Sequence, residues 1–267
     1  MIIHIILFVL TVASTWFVGG VFYSVAVMAI LLSHEMGHYL MSRRYGIPAT
    51  LPYFLPFPLS PFGTFGAIIK MKGVIINKKA LFDIGVAGPL SGFIVSLPCV
   101  FFGIMMSTVT PVTESMSYLR LGDPLLFKLF QWLMIKEIPA GHDVMLHPVG
   151  YAGLVWLFVT ALNLLPVGQL DGGHVIYAVF GAGSRWAFAV SILALVALAL
   201  LYNPGWLFLV LLLLIFGMRH PEPLDAETPL DTGRKVLAII MLVVFILSFT
   251  PAPFPGLNVF GKKGWPG

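Results

Sequence analysis

The sequence predicts an all-α membrane protein: a bundle of six or seven transmembrane helices with a small membrane-associated β-hairpin or reentrant loop. Three observations predict it. Of 267 residues, 59% are hydrophobic and only 10% charged, whereas a soluble domain is about a quarter charged. Apolar runs near or above the roughly 18–20 residues that cross the hydrocarbon recur along the chain. The Lys and Arg residues fall between those runs, so the net charge of +4 argues for orientation in a lipid bilayer and not for nucleic-acid binding.

Taken in order, the spans fall at about 1–17, 20–42, 84–106, 149–167, 185–202, 204–218 and 235–250, with a short apolar piece at 172–182. The opening run lacks a basic leader and a cleavage site, which reads as a retained first span and not a signal peptide. The hydrophilic stretches 43–82, 107–148 and 219–234 are too short or irregular for a separate core, so residues 1–267 form one polytopic domain. Its core runs over about 20–182 and its C-terminal spans over about 185–250. Alternating the spans puts Arg43, Arg44, Lys70, Lys72, Lys78, Lys79, Arg185, Arg219, Arg234 and Lys235 on one side, and Arg120, Lys128, Lys136, Lys262 and Lys263 on the other. That bias marks the first side as cytoplasmic. Cys99, the single cysteine, excludes an internal disulfide and reads as a small buried apolar residue. Nothing in the sequence assigns an oligomeric state.

Between the second and third spans, Pro48–Asn77 divides into two halves. The first, IPATLPYFLPFPLSPFG, is too broken by proline for a helix. The second, GTFGAIIKMKGVIIN, carries β-branched runs divided by glycines and reads as a strand or hairpin. Such apolar, non-helical chain belongs in the membrane against protein, where its backbone groups find partners; a hairpin lying on the headgroups is the other reading. In the third span, Gly85, Gly88 and Gly92 suit close helix contact and are assigned to packing, not chemistry.

Chemistry concentrates in Ser33–His38, SHEMGH. Histidines at i and i+4 share one helix face about one turn apart, so both imidazoles can grip one metal ion. Glu35 sits to the side of that pair, where its carboxylate can take a proton without ligating. Two histidines and a glutamate in a spanning helix cost on the order of several kcal/mol unless paired or metal-bound. Zinc needs at least one further protein ligand. His4 is near the N-terminus, His220 lies in a charged loop, and His142 and His147 belong to the opposite face. Asp171 in ALNLLPVGQLDGGH, residues 161–174, is the candidate: a carboxylate among apolar residues where Pro166, Gly168, Gly172 and Gly173 break the helix. Irregular backbone at that depth is tolerated where it is buried or lines a cavity. The plainer reading of Asp171 is a helix cap. Asn163, about two helical turns earlier, suits either an amide donor to a developing oxyanion or a helix–helix hydrogen bond. His174 suits orientation or capping, not ligation.

HEMGH in one span and NLLPVGQLDG in a later one resemble the two signatures of the site-2 protease family of intramembrane zinc metalloproteases. GTFG at 63–66 and the β-prone stretch to Asn77 resemble the family's membrane-reentrant β-loop and substrate-pairing edge strand. ALFDIGVAGPLSG at 80–92 resembles its third core span, so the similarity covers most of 20–182. The chain departs from larger members in carrying no PDZ or CBS insert. The resemblance implies a zinc metalloendopeptidase with one Zn2+ per chain, held by His34, His38 and Asp171 below the membrane surface. It implies catalysis by Glu35 and Asn163, and substrate contacts at Gly63, Phe65, Gly66 and Asn77. Its partners would be transmembrane protein substrates, and its site a prokaryotic cell membrane with the metal near the cytoplasmic face.

On that reading the substrate must be extended, because a helix hides its carbonyls, and the strand near Gly66–Ile76 offers an edge for β-augmentation. Water must reach His34 from the cytoplasmic side, roughly 10–12 Å from the end of the span. Rival readings are a metal-binding membrane transporter, a non-proteolytic scaffold that binds transmembrane segments, and a membrane hydrolase of soluble substrates.

Overall fold

The computed structural model describes residues 1–111, 121–135, 138–216 and 223–253. Arg120, Lys136, Arg219, His220, Lys262 and Lys263, used in the charge and ligand arguments, lie outside the described residues, as do positions 217–218 of the sixth expected span. Eight helices are described: α1 (Ile2–Arg44), α2 (Lys78–Met105), α3 (Leu125–Met134), α4 (Pro148–Asn163), α5 (Asp171–Phe180), α6 (Ser184–Leu201), α7 (Gly205–Phe216) and α8 (Thr232–Ser248). Among them lie two antiparallel two-stranded sheets, β1 (Tyr53–Pro56) with β2 (Thr64–Ile68), and β3 (Thr108–Pro111) with β4 (His142–Met145). The protein is mostly helical but not all-α.

Three stretches are long and apolar enough to cross a membrane: α1, α2 and the α5–α6 pair Asp171–Leu201. The first two expected spans both fall on α1, which is two helical segments meeting at a kink. It bends at Gly20, whose φ of 78° and ψ of −179° lie where a side chain is disfavoured. Exposure is inverted relative to a soluble protein. In α1, Thr11, Ser14, Thr15 and Ser24 are buried, while Ile5, Val9, Trp16, Phe17 and Phe22 are exposed. Thr15 Oγ1 and Ser24 Oγ lie 2.7 Å apart across the bend. Polar side chains turned inward and apolar ones outward are what a hydrocarbon solvent selects.

The β1–β2 hairpin corrects the expected strand. β2 ends at Ile68 and pairs with Tyr53–Pro56 in the proline-rich half, with a register shift between Phe54 and Pro56. Proline fits there because the bulge relieves it of a ladder bond. Pairing continues past the strands through Thr50 N–H to Lys70 O and Lys72 N–H to Pro48 O. Residues 72–77 form no strand; Asn77 instead caps α2, its Oδ1 accepting from Ala80 N–H at 2.9 Å. The hairpin runs along α1. At its mouth Ser42 Oγ meets Met71 Sδ at 3.4 Å, and at its tip Tyr23 Oη donates to Phe62 O at 3.1 Å and Ser14 Oγ to Gly63 O at 2.5 Å. Tyr23 and Ser42 are about 28 Å apart along a helix. Two carbonyls at the hairpin tip are thus satisfied by side chains of α1.

The stretch 107–148, expected to be irregular, holds α3 and the β3–β4 sheet. The ten residues of α3 place Leu126 and Phe127 inward. Helix α2 sits at the centre, packed against α1, α4 and α5. Where α2 crosses α4, Gly103 and Gly150 let the backbones touch. At the charged end, Arg234 at the start of α8 grips Asp83 of α2 with two bonds, Nε to Oδ1 at 2.8 Å and Nη2 to Oδ2 at 2.6 Å. Tyr45, just past α1, donates to Asp83 Oδ2 at 2.5 Å. Burial and the Asp83 carboxylate beside it raise the Tyr45 phenol above its ordinary pKa. Asp231 caps α8.

Candidate metal centre

Two helix ends and one helix middle build the centre. His34 and His38 project from α1 toward α2, and Asp171 opens α5 after the tight turn 164–170. That turn is held by short-range bonds, Leu165 N–H to Leu162 O, Val167 N–H to Leu165 O and Leu170 N–H to Val167 O. The glycines of the DGG triplet let α5 start there, because a Cβ on Gly172 would strike Leu164 O and one on Gly173 would strike Gly168 O. Asp171 does not cap α5. Leu170 holds the cap position with no side-chain bond, and Asp171 lies in the first turn, where a carboxylate is favoured by the helix dipole.

His34 Nε2 and His38 Nε2 lie 3.2 Å apart. Asp171 Oδ2 is 3.5 Å from His34 Nε2 and Oδ1 is 3.3 Å from His38 Nε2. One ligand atom from each residue falls within 4.8 Å of the others, the single such group of three or more among the described residues. The donor set fits zinc. Tetrahedral coordination at roughly 2.0–2.2 Å requires ligand atoms roughly 3.3–3.6 Å apart, close to the 3.2, 3.3 and 3.5 Å found. His38 Nδ1 donates to Ile84 O of α2 at 2.8 Å, leaving its Nε2 lone pair facing the centre. The imidazole of His38 rests on Gly88, where any Cβ would overlap the ring. Ser91 Oγ donates to Ser33 O at 2.8 Å and fastens α2 to the start of the motif.

Glu35 is 6% exposed and lies within electrostatic reach of both His38 and Asp171. Asn163 is the last residue of α4, half-buried, immediately before the turn that delivers Asp171. His174 packs its Cβ beside Gly85. Gly63 is buried in the hairpin tip. Phe65, 67% exposed, stacks on Phe57 at 4.3 Å, and Gly66 lies in β2. Asn77 stands apart from these three at the α2 cap. His142 lies in β4 and His147 caps α4, away from the centre. Sequence reasoning missed Ile84 and Trp156. The glycines of α2 were read as packing residues, and their partners lie at the centre: Gly88 under the His38 ring, Gly92 against Trp156 and His34, and Gly85 against His174.

A model of peptidase family M50 matches residues 22–203, more than half the chain. The chain belongs to peptidase family M50. This is the site-2 protease family that the two motifs resemble. Among curated relatives, this M50 member is 32% identical over 231 residues to "Probable zinc metalloprotease EGY1, chloroplastic" of Oryza sativa subsp. japonica, covering 84% of this chain and 39% of that one. It is 32% identical over 230 residues to the Arabidopsis thaliana protein of the same name, covering 84% and 42%. To "Probable zinc metalloprotease EGY2, chloroplastic" of Oryza sativa subsp. indica it is 27% identical over 244 residues, covering 88% and 43%. The chain therefore spans about two fifths of the length of these relatives. Their names place them in the chloroplast, which lends no support to a prokaryotic cell membrane.

Proposed function

We propose that the chain is a membrane-embedded zinc metalloendopeptidase that hydrolyses peptide bonds in or near transmembrane segments of other proteins. The observation that carries this reading is the convergence of His34, His38 and Asp171 from two helices distant in sequence. In this reading those three residues hold one zinc ion. Zinc bound there supplies Lewis acidity that polarises a scissile carbonyl and acidifies water. Glu35 takes the proton from the attacking water and passes it to the leaving amine. Asn163 is assigned the donor role toward the carbonyl oxygen as charge develops on it.

The substrate enters extended, paired on β2, with Gly63, Phe65 and Gly66 along its path and Asn77 ending the approach at the α2 cap. β1 lies against α1, and β2 is the outer strand. We read α1 as two spans divided at Gly20, which with the later helices makes six or seven in an integral, multi-pass protein. The basic residues at the ends of α1, α2 and α8 then face the cytoplasmic side, with His34 roughly 15 Å along the helix from Arg44.

The test is zinc-dependent cleavage of single-span peptides by the purified protein, with Glu35→Gln alongside. The variant is expected to keep its zinc and its fold while losing about 100-fold or more in rate. Full activity in Glu35→Gln would remove Glu35 from the reaction. Metal flux into liposomes without any peptide cleavage would favour a transporter instead.

A further inference from the structure

The two imidazoles of the proposed zinc site are held in different ways. His38 is oriented by a hydrogen bond from Nδ1 to Ile84 O at 2.8 Å. His34 Nδ1 is buried with no hydrogen-bond partner among the described residues, and so is Trp156 Nε1 of α4. Packing takes the place of a bond at His34. The Trp156 indole meets the His34 ring edge-on, with centroids 5.5 Å apart and planes at 74°. On the α2 side, a Cβ at Gly92 would lie 2.7 Å from Trp156 Nε1 and 3.2 Å from His34 Cβ. Trp156 and His34 are 5% and 4% exposed.

We propose that Trp156, seated in the notch left by Gly92, is the positioning residue for His34 and fixes by packing what the Ile84 carbonyl fixes for His38 by hydrogen bonding. The inference rests on the zinc reading above. The second side-chain torsion of histidine is broad, whereas a ligand must be held to within roughly 10–20°, so the ring plane has to be set by what touches it. A neutral imidazole that turns Nε2 to the centre carries its proton on Nδ1, and an indole N–H only donates. Those two groups cannot bond to each other. The flat ring of residue 156, not its N–H, is what orients His34.

The experiment measures zinc affinity by chelator competition and the d–d spectrum of the cobalt(II)-substituted full chain in detergent. Trp156→Phe is expected to keep the wild-type affinity and spectrum. Trp156→Ala, Trp156→Leu and Gly92→Ala are expected to weaken zinc by about 10- to 100-fold and to alter the cobalt spectrum; Leu keeps the side chain bulky should Ala fail to fold. Gly103→Ala, at the far end of the same helix crossing, is expected to lower thermal stability with the cobalt spectrum unchanged. Wild-type zinc affinity and cobalt spectrum in both Trp156→Leu and Gly92→Ala would overturn the proposal. So would a loss in Trp156→Phe equal to that in Trp156→Leu, or the same spectral change in Gly103→Ala. If the wild-type protein bound no zinc, or His34→Ala bound it fully, the zinc reading itself would fall, a result separate from any of these.

Discussion

Helix α2 and the α5–α6 pair are each long and apolar enough to cross a membrane, yet half of the most apolar stretch of α2 is buried and only 11% of that of α5–α6. In α6 only Leu195 and Ala199 are buried, while Trp186, Val190, Leu193, Leu200 and Leu201 stand exposed. In α2 the buried set includes Gly85, Gly88, Gly92, Ser96 and Gly103. Hydropathy marks both as membrane helices; small residues mark which of them is interior. The reason is that lipid tails are as apolar as leucine, so helices associate through close backbone approach and hydrogen bonds and not through hydrophobicity. In α2 that close approach also shapes the candidate metal centre, with Ile84 O on His38 and Gly88 beneath its ring.

The contrast is sharpest in a matched pair of substitutions. Gly88→Ala drives a methyl into the His38 ring and is expected to cost about 1–3 kcal/mol along with most of the bound zinc. Leu193→Ala on α6, 69% exposed, is expected to change stability by no more than about 0.5 kcal/mol. Thermal unfolding and zinc content of the two proteins would show it, and equal effects would dissolve the distinction between the helices.

A smaller effect is expected at the charged end of α2. Arg234→Ala removes a two-pronged bond to Asp83 and a contact to the Tyr45 hydroxyl at 3.1 Å, with an expected loss of about 1–3 kcal/mol. An unchanged unfolding temperature would show that α8 is held by its apolar face alone.

Smallest is a pH effect at the cap of α8. The Arg234 backbone N–H, followed by its side chain, holds Asp231 below its ordinary pKa of 3.8. A carboxylate depressed in the folded state stabilises at pH above that ordinary value, and the gain disappears as pH falls through the lowered one. Wild type is therefore expected to lose stability relative to Asp231→Asn on acidification below about pH 4. Parallel melting curves for the two across that range would exclude the cap as a contributor.

Most of the site was legible in the sequence because its signals are local. HEMGH states its own spacing on one helix, and the Pro and Gly residues around Asp171 mark a break in an apolar run. The hairpin was half legible. GTFG announced a strand, but its partner Tyr53–Pro56 sits among prolines, and pairing across a shifted register follows from contacts far apart in sequence. The β3–β4 sheet was hidden for the same reason, its strands Thr108–Pro111 and His142–Met145 being short and separated by α3. The break at Gly20 was visible as a gap between the first two apolar runs, and two helical segments meet there. Trp156 looked like any core aromatic, since nothing within α4 tells that its edge meets a histidine of α1. The bond between Asp83 and Arg234 joins residues 151 positions apart, beyond any local pattern.

Zinc content by elemental analysis of Asp171→Ala, beside wild type and Glu35→Gln, tests most directly whether α1 and α5 meet to hold one ion. The expectation is one zinc per chain in wild type and Glu35→Gln, with occupancy in Asp171→Ala lowered by about tenfold or more at limiting metal. Full occupancy in Asp171→Ala would contradict it.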